Sequence, residues 1–185
     1  ALIGFPYLTG FYSKDLILEV AYGKHELLGY FSYLLGTIGA FLTAFYSTRL
    51  AYLTFLSKPN GYYKIICYSC DSGLQIRTAL GCLAIPSVLI GYYTRDMVVG
   101  VGSQFFGTAI FVNLFNMNIF DAEFIPTFYK TLPVYLSMLG AIIAFTSYTF
   151  ASNILFKIQT SVKGKKIYFF FNRKWYLDKK YNENI

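Results

Sequence analysis

Three ionisable residues fall inside the apolar run from Ala1 to Tyr22: Lys14, Asp15 and Glu19. A charge at bilayer depth costs at least about 2.5 kcal/mol even on lenient scales, so such groups normally face a bundle interior, where they pair or meet water. Desolvation disfavours a buried ammonium, and a neighbouring carboxylate favours it. A balance between the two permits reversible protonation, which a proton path requires. The same residues also fit a helix end whose side chains snorkel to the surface. The residues alone leave both readings open.

These side chains need an element to place them. On a helix, Asp15 and Glu19 are four apart and share a face. Lys14 lies about 100° around the helix from Asp15. Ahead of them, Gly4-Phe5-Pro6 and Gly10 interrupt the run and should break the helix. Irregular backbone at membrane depth is tolerated where it is buried in protein or lines a water-filled cavity. A broken helix beside ionisable groups is a pattern of ion sites in transporters.

Other candidates are weaker. Arg49, in Tyr46-Ser47-Thr48-Arg49, reads as a snorkelling end residue or a structural partner for an acid, with a supporting site role as the alternative. His25, between Lys24 and Glu26, reads as a solvated loop histidine. Arg95 and Asp96 read as a headgroup-level pair of little energetic worth. Cys67 and Cys70 have CxxC spacing, but zinc would need a second pair or histidines, and His25 is the single histidine. No metal site or cofactor site is expected. No glycine-rich phosphate loop or dinucleotide fingerprint is present.

Composition sets the environment. The chain has 185 residues, 56% hydrophobic and only 14% charged. That excludes a disordered tail, and it disfavours a soluble domain, in which about 25% of residues are charged. The fold class expected is all-α: a polytopic transmembrane helix bundle of about four spans, the first a broken helix. The spans are read at about residues 1–22, 27–56, 78–94 and 131–156, within a bundle piece 1–157. An aromatic stretch with Asn113, Asn116, Asn118, Asp121 and Glu123 reads as an interfacial loop over 98–128. Residues 158–185 form a basic tail.

The net charge of +7 could suggest nucleic acid, but the cations sit in the tail and the short connections. Membrane topology produces that distribution, and no nucleic-acid partner is expected. Lys58, Lys64 and Arg77 share a side with the tail cations Lys157, Lys163, Lys165, Lys166, Arg173, Lys174, Lys179 and Lys180. The other side has Lys24, Arg95 and Lys130, diluted by Glu26, Asp96, Asp121 and Glu123. The tail side is therefore expected to be cytoplasmic or matrix. The tail either binds anionic lipid such as cardiolipin or only sets topology. Trp175 reads as an interface anchor.

The run Leu2-Ile3-Gly4-Phe5-Pro6-Tyr7-Leu8-Thr9-Gly10-Phe11-Tyr12-Ser13-Lys14-Asp15-Leu16-Ile17-Leu18-Glu19 resembles the subunit 5 family of mitochondrial NADH:ubiquinone oxidoreductase, respiratory complex I. Mrp-type cation/proton antiporters have a similar run. Ala44-Phe45-Tyr46-Ser47-Thr48-Arg49-Leu50, Leu132-Pro133-Val134-Tyr135-Leu136 and Arg173-Lys174-Trp175-Tyr176-Leu177-Asp178 extend the resemblance over nearly the whole chain. It implies the part of that antiporter-like subunit from its broken twelfth helix to the lead-in of its lateral helix. The chain is thus expected to be a fragment or one piece of a divided subunit.

The resemblance implies a protonatable half-channel residue at Lys14 and a proton-path residue at Asp15, with no family role carried over to Glu19 or Arg49. It implies proton translocation coupled to NADH:ubiquinone electron transfer, with NADH, FMN, iron–sulfur clusters and ubiquinone held elsewhere in the complex. Implied partners are other membrane-arm subunits, including a chain that supplies the earlier helices and the lateral helix, and the lipid bilayer. The implied location is the mitochondrial inner membrane, with the basic tail in the matrix. The competing readings are a component of an Mrp-type cation/proton antiporter and a structural piece that pumps nothing.

Overall fold

The structure is a computed structural model. It describes residues 2–70, 73–98, 100, 103–107, 109, 111 and 122–184. Asn113, Asn116, Asn118 and Asp121 of the expected interfacial loop lie outside the described residues. The described chain is all-α, with no strand among the described residues. It divides into two compact units, Ala1–Ala144 and Phe145–Ile185.

Helix α1 runs over Thr9–Gly23. Helix α2, Leu27–Ala51, continues through a π-helical turn at Tyr52–Leu56. A short helix α3, Tyr63–Tyr68, precedes α4, Leu74–Val98. After a 3-10 turn at Ala122–Phe124 comes α5, Thr127–Phe150. Among the described residues three helices are long and apolar enough to cross a membrane: Leu27–Leu56, Leu74–Val98 and Thr127–Phe150.

The expected first span is a 15-residue helix behind an irregular lead-in. Fifteen helical residues cover about 22 Å, short of a hydrocarbon core of about 30 Å. Positive φ at Gly4 (77°) and Tyr7 (70°) breaks the lead-in where the Gly-Phe-Pro sequence forbids a continuous helix.

Two boundaries differ from the sequence reading. The third span runs over 74–98 rather than 78–94, and α4 is one helix with Pro86 inside it. Transmembrane helices tolerate an interior proline when neighbouring groups satisfy the disturbed backbone. The fourth runs over 127–150 rather than 131–156. Pro126 starts it early, its carbonyl accepting the N–H groups of Tyr129 and Lys130. At Ala151 the backbone leaves the helical region (φ −109°, ψ 17°), and a separate helix follows.

Small residues let the helices of the first unit approach closely. A Cβ at Gly29 would lie 2.5 Å from the Ala21 carbonyl oxygen, and one at Gly36 would lie 2.2 Å from Leu18. Those two contacts make α1 and α2 antiparallel neighbours. On α2, Tyr33, Thr37, Ala40 and Ala44 are buried. On α5, Pro133, Ser137, Gly140 and Ala144 repeat the same spacing and are buried too. A Cβ at Gly140 would lie 2.5 Å from the Phe41 carbonyl oxygen, so the two backbones nearly touch. In lipid there is no hydrophobic force between helices, and a seam of small residues with close contact takes its place. The Thr37 and Ser137 hydroxyls each donate to a carbonyl on their own helix, Leu34 and Val134, so neither is left unpaired in the seam.

The second unit contains α6 (Ser152–Thr160), α7 (Val162–Asn172) and α8 (Leu177–Asn184). Ser161 caps α7, its hydroxyl accepting the Gly164 N–H. Lys163, Lys165 and Lys166 fill the first half of α7 and Phe169, Phe170 and Phe171 the second. Trp175 stacks on Phe170, and the Arg173 guanidinium lies over Phe169 and Tyr176.

Candidate functional site

Helix α1 sends its two adjacent ionisable residues in different directions. Helical side chains lean toward the N-terminus, and Lys14 follows that rule. Its ammonium reaches back to the lead-in and donates to the Ile3 carbonyl at 2.9 Å. Gly4 makes the room: a Cβ there would lie 2.4 Å from Lys14 Nζ. The break before the helix is therefore the acceptor site for the lysine.

Asp15 faces the other way. It is only 7% exposed, and both carboxylate oxygens are buried without a hydrogen-bond partner among the described residues. An unpaired carboxylate is among the costliest groups to withdraw from water, so its position calls for an explanation. It lines a cavity of about 320 Å³ together with Glu19, Arg95, Asp96, Glu123 and Lys130. Liquid water takes about 30 Å³ per molecule, so there is room for several waters among polar groups able to hold them.

The cavity walls come from one side of α1, the end of α4, the start of α5 and the 3-10 turn. Glu19, one turn beyond Asp15, pairs with Lys130 of α5 at 3.4 Å, and its side chain is only 13% exposed. Arg95, in the last turn of α4, lies over the Tyr12 ring of α1 at 5.6 Å. The end of α4 thus meets the first turn of α1 at Tyr12, and the start of α5 meets Glu19 two turns further along, so the cavity runs beside α1 between these contacts. The chain direction alternates from α1 to α2, α4 and α5, which puts the end of α4 opposite the end that bears the 57–73 connection.

Beside the cavity, Tyr22 stacks on Tyr129 and meets Tyr30 and Tyr33 edge-on. The Tyr33 hydroxyl donates to the Tyr129 carbonyl at 2.7 Å. His25 is exposed, as expected of a loop histidine, with Nδ1 3.1 Å from the Tyr30 hydroxyl.

Of the residues singled out from sequence, Asp15 and Glu19 share the cavity, and Lys14 sits on the adjoining face. Arg49 lies exposed in the last turn of α2, away from the cavity-lining residues. Sequence reasoning missed Arg95, Asp96, Glu123 and Lys130. The expected headgroup pair, Arg95 and Asp96, instead lines the cavity. The signal was the charge census on the side opposite the tail, where the few cations are mixed with acids rather than alone. Among the described residues no group of three or more His, Cys, Asp or Glu could hold a metal ion, and Cys67 and Cys70 are exposed.

No protein-family model matches the chain. A protein of Phytophthora infestans named NADH-ubiquinone oxidoreductase chain 5 is 52% identical over 185 residues, which is all of this chain and 28% of that protein. Over its whole length, this chain is homologous to part of NADH-ubiquinone oxidoreductase chain 5. Proteins of that name from Marchantia polymorpha and Schizophyllum commune are 38% identical over 184 residues and 41% over 186. The match covers 99% and 100% of this chain, and 28% and 27% of theirs. The chain thus spans just over a quarter of the length of these curated relatives.

Proposed function

We propose that this chain is a membrane-embedded part of a respiratory NADH:ubiquinone oxidoreductase and that the cavity around Asp15 carries protons. The observation that carries the reading is the buried, unpartnered Asp15 carboxylate at a charged cavity, adjacent in sequence to a lysine held on the other side of the same helix. In a relative of chain 5, that is an arrangement for handing a proton across a helix. Lys14 takes or releases a proton on the lead-in side. Asp15 and Glu19 exchange protons with water in the cavity, and Arg95 and Lys130 compensate the carboxylates.

In this reading the chain does no redox chemistry. Electron carriers and the NADH and ubiquinone sites belong to partner subunits, and other chains or other parts of the protein supply the remaining helices. The location is the mitochondrial inner membrane, with the basic tail, residues 158–185, on the matrix side.

The test is proton-to-electron stoichiometry in sealed membranes that contain the assembled enzyme. Asp15→Asn and Lys14→Met are each expected to lower the ratio while assembly persists. Full stoichiometry in Asp15→Asn would sink the proposal.

A further inference from the structure

The contact between α1 and α4 includes one residue that the functional reading does not use. Thr9, the first residue of α1, places its hydroxyl between two backbone groups of α4. It donates to the Pro86 carbonyl at 3.2 Å and accepts the Gly91 N–H at 3.1 Å. Gly91 is the one buried residue of α4 among the described residues. A Cβ at that position would lie 2.5 Å from Thr9 Cα, which is backbone and cannot swing aside.

We infer that Thr9 is a positioning residue, a clip that fixes the height of α4 against α1 and so places Arg95 and Asp96 at the cavity. The remainder of α4 gives little register of its own. Leu80, Leu83, Ile85, Tyr92 and Tyr93 are all exposed on this unit. Apolar surface facing lipid or other apolar helices is equally content at many heights, whereas close backbone approach and interhelical hydrogen bonds select one.

The two helices are parallel here. One turn beyond the clip on α4 is Arg95, and about one turn beyond it on α1 is Tyr12, the ring that Arg95 covers. A slip of one residue moves α4 by about 1.5 Å along its axis and turns it by about 100°. Arg95 would then leave the ring, and Asp96 would leave the cavity wall. Pro86 makes the clip necessary, because a proline-interrupted helix has a flexible joint just where its height must be set.

The positioning role rests on the proton-cavity reading, but the register does not, and the experiment separates them. In the assembled complex, with Cys67, Cys70 and Cys82 changed to Ser, Tyr12→Cys and Arg95→Cys are introduced together. They are then bridged with a short bifunctional thiol reagent. Cross-linking is expected to be efficient with Thr9 or Thr9→Ser and to fall several-fold with Thr9→Val. In the otherwise native chain, Thr9→Val is expected to lower the proton-to-electron ratio and Thr9→Ser to restore it. If Thr9→Val does not assemble, Thr9→Ala removes the hydroxyl without added bulk and takes its place.

Unchanged cross-linking in the hydroxyl-less variant overturns the clip. Reduced cross-linking with an unchanged ratio overturns the positioning role. An intact ratio in Asp15→Asn removes the proton reading alone, and the cross-link then decides the register by itself.

Discussion

Gly4 is the position at which a single methyl group should reach the lysine. An alanine there meets two obstacles. The residue has φ +77°, where an L side chain costs about 1–2 kcal/mol. The new Cβ would also stand 2.4 Å from Lys14 Nζ. The second clash is relieved easily, because the tip of a lysine moves, but moving it gives up the 2.9 Å bond to the Ile3 carbonyl. A hydrogen bond from a charged donor contributes about 1.5–3 kcal/mol in water-soluble proteins. Within membranes the measured average for interhelical bonds is nearer 0.6. Lys14 is only half-buried, so a value of about 1 kcal/mol lies between these bounds.

That value becomes measurable in a double-mutant cycle. Gly4→Ala alone should destabilise the chain by about 2–3 kcal/mol, the sum of backbone strain and the lost bond. In a Lys14→Met background no ammonium remains to lose its acceptor, and only the strain should persist. The coupling energy should therefore be about 1 kcal/mol. Thermal unfolding of the detergent-solubilised complex, followed at this subunit, gives the stability arm. Proton-to-electron stoichiometry gives the functional arm, where Gly4→Ala should mimic part of the Lys14→Met loss. Additive effects would refute the reasoning, for Gly4 would then act through its own backbone and the break in the helix would not be an acceptor for Lys14.

The other predictions concern packing and pairing. Lys130→Met should cost about 1–2 kcal/mol, because it leaves Glu19 unpaired at 13% exposure, whereas Lys24→Met should stay within about 0.5 kcal/mol, its partner Glu26 being well exposed; comparing the two melting temperatures checks this. Gly140→Ala should destabilise by about 1–3 kcal/mol, since the new methyl meets the Phe41 carbonyl and neither helix can yield alone; an unchanged melting temperature would contradict the seam. Tyr33→Phe removes one hydroxyl bond to the Tyr129 carbonyl and should cost about 1 kcal/mol while leaving the ring cluster packed.

The helix class, the long second span and the break ahead of Lys14 were legible because each follows from local chemistry. Apolar length decides a span, and Gly-Phe-Pro cannot continue a helix. The seam depends on which helices meet, because Ser137, Gly140 and Ala144 must find Thr37, Ala40 and Ala44. The passage of α4 through Pro86 was not legible. A proline's effect depends on what lies beside it, and here that is Thr9, which is 77 residues away in sequence.

The cavity was illegible for a similar reason. Lys130 read as one of a few cations diluted by nearby acids, and only the antiparallel threading brings it to Glu19. Arg95 looked like half of a local pair with Asp96, and only the parallel contact of α1 and α4 puts it over Tyr12.

The same threading explains why Lys14 and Asp15 can do different work although they are adjacent. Neighbouring residues on a helix point about 100° apart. In most helices one of two such charges would face lipid or a packed partner at considerable cost. Here the lead-in folds back as irregular backbone and offers Lys14 a carbonyl, while the end of α4 and the start of α5 meet beside α1 and offer Asp15 a polar cavity. Neither provision serves the other residue. Sealing the lead-in as regular helix would tie up the Ile3 carbonyl in its own turn and leave the lysine unpaired. Filling the cavity with apolar side chains would remove the polar space beside the carboxylate. The broken helix and the charged cavity are thus two halves of one arrangement, and a change confined to either half should uncouple it without dismantling the bundle.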